Sequence, residues 1–142
     1  MGAPERLVRR GRRAAERLMV DACEIREPSA YGPVDPETGQ REVIPGELLY
    51  GPDIEPLHGR CKIQNQRLRY PSEPDSAQHV WTVGPTEIHI PVSAPDKIRD
   101  DCVVTIVDSF DPRNVGRRMR VRIGDRKSLQ TAIRLLVEEV VG

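Results

Sequence analysis

Arg118, Arg120 and Arg122 alternate with Met119, Val121 and Ile123, so a strand through them carries a row of guanidinium groups on one face. Arg113 and Arg117 extend the row at its start. A guanidinium pairs bidentately with carboxylates and phosphates alike. The row therefore has three readings: a solvated strand face, an interface to an acidic surface, or a track for a phosphate backbone. A site for single-stranded nucleic acid interleaves aromatic rings with its basic groups, and residues 117–123 contain none. A second basic set, Arg9, Arg10, Arg13 and Arg17, lies in a segment with helical spacing and is a candidate docking surface.

Other reactive types are sparse. His58 and Cys61 form one close pair, whereas a zinc site uses two close pairs of ligands, so no metal site is expected. Asp100-Asp101 and Glu138-Glu139 are adjacent carboxylates in a polar turn and near a terminus, where solvation is expected rather than general acid–base work. Neither a GxGxxG nor a GxxxxGK[ST] loop occurs, nor GxSxG or HExxH. Cys23, Cys61 and Cys102 are odd in number and far apart, which fits small buried thiols. No cofactor and no catalytic residue is expected, and the chain is not read as an enzyme.

The elements that must position these residues are mostly extended. Residues 4–20 read as a helix, with Pro4 and Glu5 in its first turn and a narrow apolar stripe of Leu7, Ala14, Ala15, Leu18 and Met19. Gly11 weakens that helix by about 1 kcal/mol relative to alanine. Cys23–Arg26 alternates as a short strand. Residues 27–57 form a long loop with six prolines and four glycines, within which 41–44 and 47–50 are expected to pair as a flap. Residues 59–65 form the next strand, followed by a second long loop, 67–78. Residues 80–83 and 87–92 read as two strands broken by Gly84-Pro85, with Ile88, Ile90 and Val92 on one face and Pro91 marking an edge or bulge. Residues 102–107 form a continuous apolar run, read as the most buried strand, and 117–123 is the arginine strand. The segment 128–141 fits a helix or a strand; a small sheet needs a last strand to close it, so a turn at 128–132 followed by a strand is expected. The fold class is mainly β: a small β-barrel or compact sandwich with an N-terminal α-helix and long Pro/Gly-rich loops. The 142 residues form a single domain, 1–20 being the helix and 21–142 the barrel.

Charge is balanced overall, 22 basic against 22 acidic residues, which argues against bulk attraction to DNA or an anionic membrane. The balance hides a division. Residues 1–20 carry six arginines and two glutamates, net +4; residues 21–101 carry eight basic and fifteen acidic residues, net −7; the remainder carries eight and five, net +3. Opposite charges on separate parts of one chain permit head-to-tail contact between copies, which closes into rings. Only 37% of residues are hydrophobic and 4% aromatic, a thin core that suits a subunit burying area against neighbours. No apolar run approaches the roughly 20 residues that span a bilayer, and residues 1–13 lack the apolar stretch of a signal peptide, so no membrane partner and a cytoplasmic site of synthesis are expected.

The order Ala14-Ala15-Glu16-Arg17-Leu18-Met19, Cys23-Glu24-Ile25-Arg26, Asp35-Pro36-x-Thr38-Gly39, Gly59-Arg60-Cys61-Lys62-Ile63-Gln64 and Ile88-His89-Ile90-Pro91-Val92 continues in Asp111-Pro112-x-x-Val115-Gly116-Arg117-x-Met119-Arg120-Val121 and in Arg134–Val140. Together these segments resemble the small head–tail connectors of tailed phages that infect actinobacteria, the head-closure or head-to-tail stopper group. The resemblance covers nearly the whole chain. It implies a β-barrel with an N-terminal helix whose copies form a homo-oligomeric ring, hexamer or dodecamer. The portal or adaptor would lie above the ring, a tail terminator or tail tube below, and packaged DNA would pass through its lumen without sequence specificity. It also implies a place in the virion neck after assembly in the host cytoplasm, and contacting or gating roles for loops 27–57 and 67–78. The alternatives are a tail terminator or head–tail adaptor and, from another class, a small-barrel module that binds nucleic acid or peptide.

Overall fold

The computed structural model describes residues 2–67, 83–125 and 130–140, with side chains left out at 65–67, 83–85 and 123–125. The chain begins with α1 (Ala3–Arg17) and continues through β1 (Asp21–Arg26), β2 (Ala30–Val34), β3 (Arg41–Ile44), β4 (Leu48–Tyr50), β5 (Arg60–Arg67), β6 (Val83–Ile90), β7 (Val103–Asp108), β8 (Arg118–Asp125) and β9 (Ile133–Glu139). A 3₁₀ turn, Pro112–Asn114, lies between β7 and β8. The sheet runs β1-β5-β6-β9-β8-β7 and closes where β7 pairs with β1, giving a six-stranded antiparallel barrel. The expected small barrel with an N-terminal helix is what forms.

Closure depends on the C-terminal segment, which is a strand. Inserted between β6 and β8, β9 pairs its backbone on both sides, Ile88 with Leu135 and Val121 with Val137. An isolated helix there would leave both neighbours as open edges. Ile133, Leu135 and Val137 point inward and Arg134 and Glu138 outward. The barrel interior also holds Cys23 and Ile25 from β1, Tyr50 from β4, Cys61 from β5, Ile88 and Ile90 from β6, Val104 and Ile106 from β7, and Met119 and Val121 from β8. Period-two alternation thus holds around the wall.

Several expectations are corrected. The flap does not form between 41–44 and 47–50. β3 pairs instead with β2, Tyr31 opposite Val43, as a separate two-stranded ribbon, while β4 pairs with β1, Ile25 opposite Tyr50. Gly84-Pro85 does not divide two strands, because β6 runs through it. β6 bonds to β9 only over Thr86–Ile90, and its pairing with β5 shifts register between Asn65 and Arg67. Residues 84–85 therefore lie where a missing N–H leaves no ladder bond unmade. Pro91 ends β6 rather than bulging it, and Val92 lies outside the strand. β7 is not the most buried strand: Val104 and Ile106 are its buried residues, whereas β1 buries Asp21, Cys23 and Ile25. Residues 80–82 and most of the 67–78 loop lie outside the described residues.

The helix also sits differently from its apolar pattern. Glu5 accepts the Gly2 N–H at 2.9 Å, which satisfies one free amide at the helix start. No residue of α1 is fully buried, and Leu7 and Leu18 are 66% and 58% exposed. The side toward the barrel is Val8, Gly11, Arg12 and Ala15, with buried Met19 just past the helix end. A Cβ at Gly11 would lie 2.8 Å from the Thr131 methyl, so glycine buys the close approach that its low helix propensity costs. Beside it Arg12 Nε donates to the Gln130 carbonyl at 3.1 Å.

Candidate functional site

The arginine row forms as a one-sided array. Met119 and Val121 are buried, and Arg118, Arg120 and Arg122 are exposed on the outer face of β8. It is not a uniform cationic track, because β9 places Glu138 and Glu139 beside it. Arg122 Nε donates to Glu138 Oε2 at 2.5 Å, and Arg117 Nε to Glu139 Oε1 at 2.6 Å. Arg117 also donates to Asn114 Oδ1 at 3.0 Å. Glu138-Glu139, expected to be solvated, is thus half of a charge ladder across two strands.

Arg113 folds back on Asp111 in the 3₁₀ turn, donating from Nε and from Nη2 at 2.8 Å. That guanidinium holds the exposed Asp111 carboxyl below the usual carboxylate range. Arg118 and Arg120 are the members of the row with no ion-pair partner among the described residues. A phosphate track therefore has two unengaged cations rather than five, and the outer face of β8 is better suited to a light polar contact than to a grip on DNA.

The helix arginines are different. Arg9, Arg10, Arg13 and Arg17 are exposed, and none has an ion-pair partner among the described residues. They share α1 with the exposed Leu7 and Leu18. The start of β1 is tied to the far turn by Asp21, a buried carboxylate. Its Oδ1 accepts the Ser109 hydroxyl and the Phe110 N–H, both at 2.8 Å. Phe110 itself is 89% exposed. Asp21 and Phe110 are not singled out by residue pattern; the signals for them are an aspartate opening a strand before Cys23 and the Asp-Ser-Phe-Asp-Pro turn.

The second surface that pattern reading missed is the β2–β3 ribbon. It exposes Tyr31, Val34, Val43 and Ile44, between 48% and 68% each. Its turn is tied by Asp35, whose carboxylate accepts the Glu37 N–H at 2.9 Å and is held below its ordinary pKa by that bond.

The nucleophilic and metal-binding types do not converge. All three cysteines are free and buried. A hydrogen bond with Cys61, together with burial, pushes the Cys23 thiol upward, away from a reactive thiolate. Tyr50 is raised by burial and donates to the Arg60 carbonyl at 2.6 Å, a structural bond. His58, in a left-handed loop position, bonds to the Pro52 carbonyl, and His89 pairs with Glu87 on the same strand. Among the described residues no three His, Cys, Asp or Glu side chains are grouped as metal ligands. No helix of the described residues is long and apolar enough to cross a membrane.

No curated protein and no solved structure matches the chain. A family profile does match, from Gly11 in α1 to Glu138 in β9. On that match over residues 11–138, the chain belongs to DUF6093, described as a family of unknown function.

Proposed function

We propose that this protein is a structural ring subunit of a phage neck, the head-to-tail stopper that closes the DNA-filled head below the portal or adaptor and offers the tail its docking surface. The observation that carries the proposal is a closed small barrel bearing two separate exposed apolar surfaces, one set among arginines and one among carboxylates. A monomeric module has no use for either, whereas a subunit bounded by neighbours uses both. The partly neutralised β8 face supports the same reading, since a lumen through which DNA slides works better with few free cations. A head–tail adaptor would be more helical than a chain with one 15-residue α-helix among its described elements. The engaged state of Arg113, Arg117 and Arg122 disfavours a nucleic-acid binding module.

The deciding experiment is a phage carrying a nonsense codon in this gene, grown with and without suppression. Electron microscopy of the unsuppressed lysate should show leaking or emptied heads without tails. Normally tailed particles would overturn the proposal. Assembled tails beside heads that keep their DNA would move the role toward the tail terminator.

A further inference from the structure

We infer that the β2–β3 ribbon is an arm that docks on α1 of a second copy of this chain, and that this contact joins neighbouring subunits of the ring proposed above, on which reading it rests. The ribbon leaves the barrel at a closed neck. Glu27 N–H donates to the Glu47 carbonyl at 2.9 Å, and a Cβ on Gly46 would fall 1.9 Å from the Glu27 carbonyl oxygen. Between these residues, every position from 28 to 45 except Gly32 is exposed. A two-stranded ribbon standing alone is marginally stable in water. This one nevertheless shows apolar side chains to solvent: Tyr31 faces Val43 across the strands, at 68% and 57% exposure, and Ile44 pairs opposite Ala30. Such a ribbon gains most of its stability from whatever it packs against.

The surface that fits it lies on the same chain. Leu7, Ala14 and Leu18 fall along one edge of α1 and are exposed, with Arg6, Arg10 and Arg17 beside them. The helix, residues 3–17, carries six arginines and two glutamates, net +4; the arm, residues 27–47, carries five carboxylates and one arginine, net −4. Apolar centres with matching opposite rims are the complementarity that specifies a partner. The two surfaces do not cover each other within one molecule, since both are exposed there. The arm leaves beyond Arg26 while α1 joins at Asp21, separated by β1, roughly 17 Å at the usual rise per strand residue. Two different patches meeting between copies make a heterologous contact, the kind that forms a ring when the rotation between neighbours closes.

Charge reversal tests this with the full chain. One variant carries Arg6→Glu and Arg10→Glu and spoils the helix surface; the other carries Glu37→Lys and Glu42→Lys and spoils the arm. All four side chains are exposed, and circular dichroism with thermal melting verifies that both variants remain folded. Native mass spectrometry at low salt and high protein concentration should show a closed oligomer for the unaltered chain, weakening as salt rises. Each variant alone should be monomeric. Mixed, they should associate again, because the unaltered arm of the first meets the unaltered helix of the second. Folded variants that still assemble like the unaltered chain would overturn the arm-to-helix contact and leave the ring reading standing. An unaltered chain that stays monomeric under these conditions would overturn the contact, and the phage experiment would then decide the neck role separately.

Discussion

Replacing Asp21 with alanine removes the side-chain hydrogen bonds between the start of β1 and the β7–β8 turn. The carboxylate is 8% exposed and accepts two hydrogen bonds, from Ser109 Oγ and Phe110 N, each at 2.8 Å. Hydrogen bonds to a charged acceptor contribute about 1.5–3 kcal/mol each. These two share one oxygen, and the amide of the highly exposed Phe110 is open to rehydration, so the pair is worth about 2–4 kcal/mol rather than the full sum. That is a large part of the roughly 5–15 kcal/mol that holds a domain together. Urea titration followed by circular dichroism should show the midpoint falling with the slope unchanged. Asp21→Asn keeps an acceptor and should cost less than the alanine variant. Ser109→Ala loses one bond and should cost about 1 kcal/mol. The Asp21→Ala, Ser109→Ala double variant should be more stable than additivity predicts by about 0.5–1 kcal/mol, because the two side chains share one interaction. An Asp21→Ala cost below about 0.5 kcal/mol, the usual range for an unremarkable surface position, would refute the reasoning.

Gly46→Ala forces a Cβ into the Glu27 carbonyl, so limited proteolysis should cut the 28–45 arm faster than in the unaltered chain while the barrel core stays protected. The Asp111 carboxyl, bonded by Arg113, should titrate below the ordinary aspartate range by NMR, and Arg113→Ala should raise it part of the way back, because the backbone N–H at position 113 still donates to it. A folded pKa lowered in this way gives stability that is present above the unfolded pKa and is lost as pH falls through the folded one, so removing Arg113 should flatten the acid limb of the stability curve. The three thiols should resist a thiol reagent in the native state and all react in denaturant, since each is buried.

Reading along the chain was most reliable where structure is local. Met119 and Val121 alternate with Arg118, Arg120 and Arg122, and a pleated strand with one buried face can satisfy that pattern in only one way. The same logic located β1 and β5 within a residue or two, and the continuous apolar run at 102–107 located β7 as closely. It failed where one segment has several possible partners. The strand 41–44 could pair forward with 47–50 or backward with 30–34. The outcome follows from β4 being needed on the barrel, where Leu48 and Tyr50 pair with Arg26 and Ile25 of β1. The apolar stripe of α1 misled for a related reason. A narrow stripe shows that a helix is amphipathic but not which edge meets its own chain, and here Gly11 and Arg12 decide by their contact with residues 130–131.

The sequence by itself determined the mainly β class, the inward and outward faces of the strands, the burial of the cysteines and the division of charge between the ends and the middle. Those properties depend on residue type and on a period of two, which neighbours along the chain set among themselves. Tertiary structure alone decided that β9 lies between β6 and β8, that Glu138 and Glu139 neutralise two of the row's arginines, that Asp21 reaches a turn 88 residues away, and that the 28–45 ribbon stands clear of the barrel. Each of these depends on which distant segments become neighbours when the sheet closes, and strand register is a property of the closed barrel rather than of any one strand.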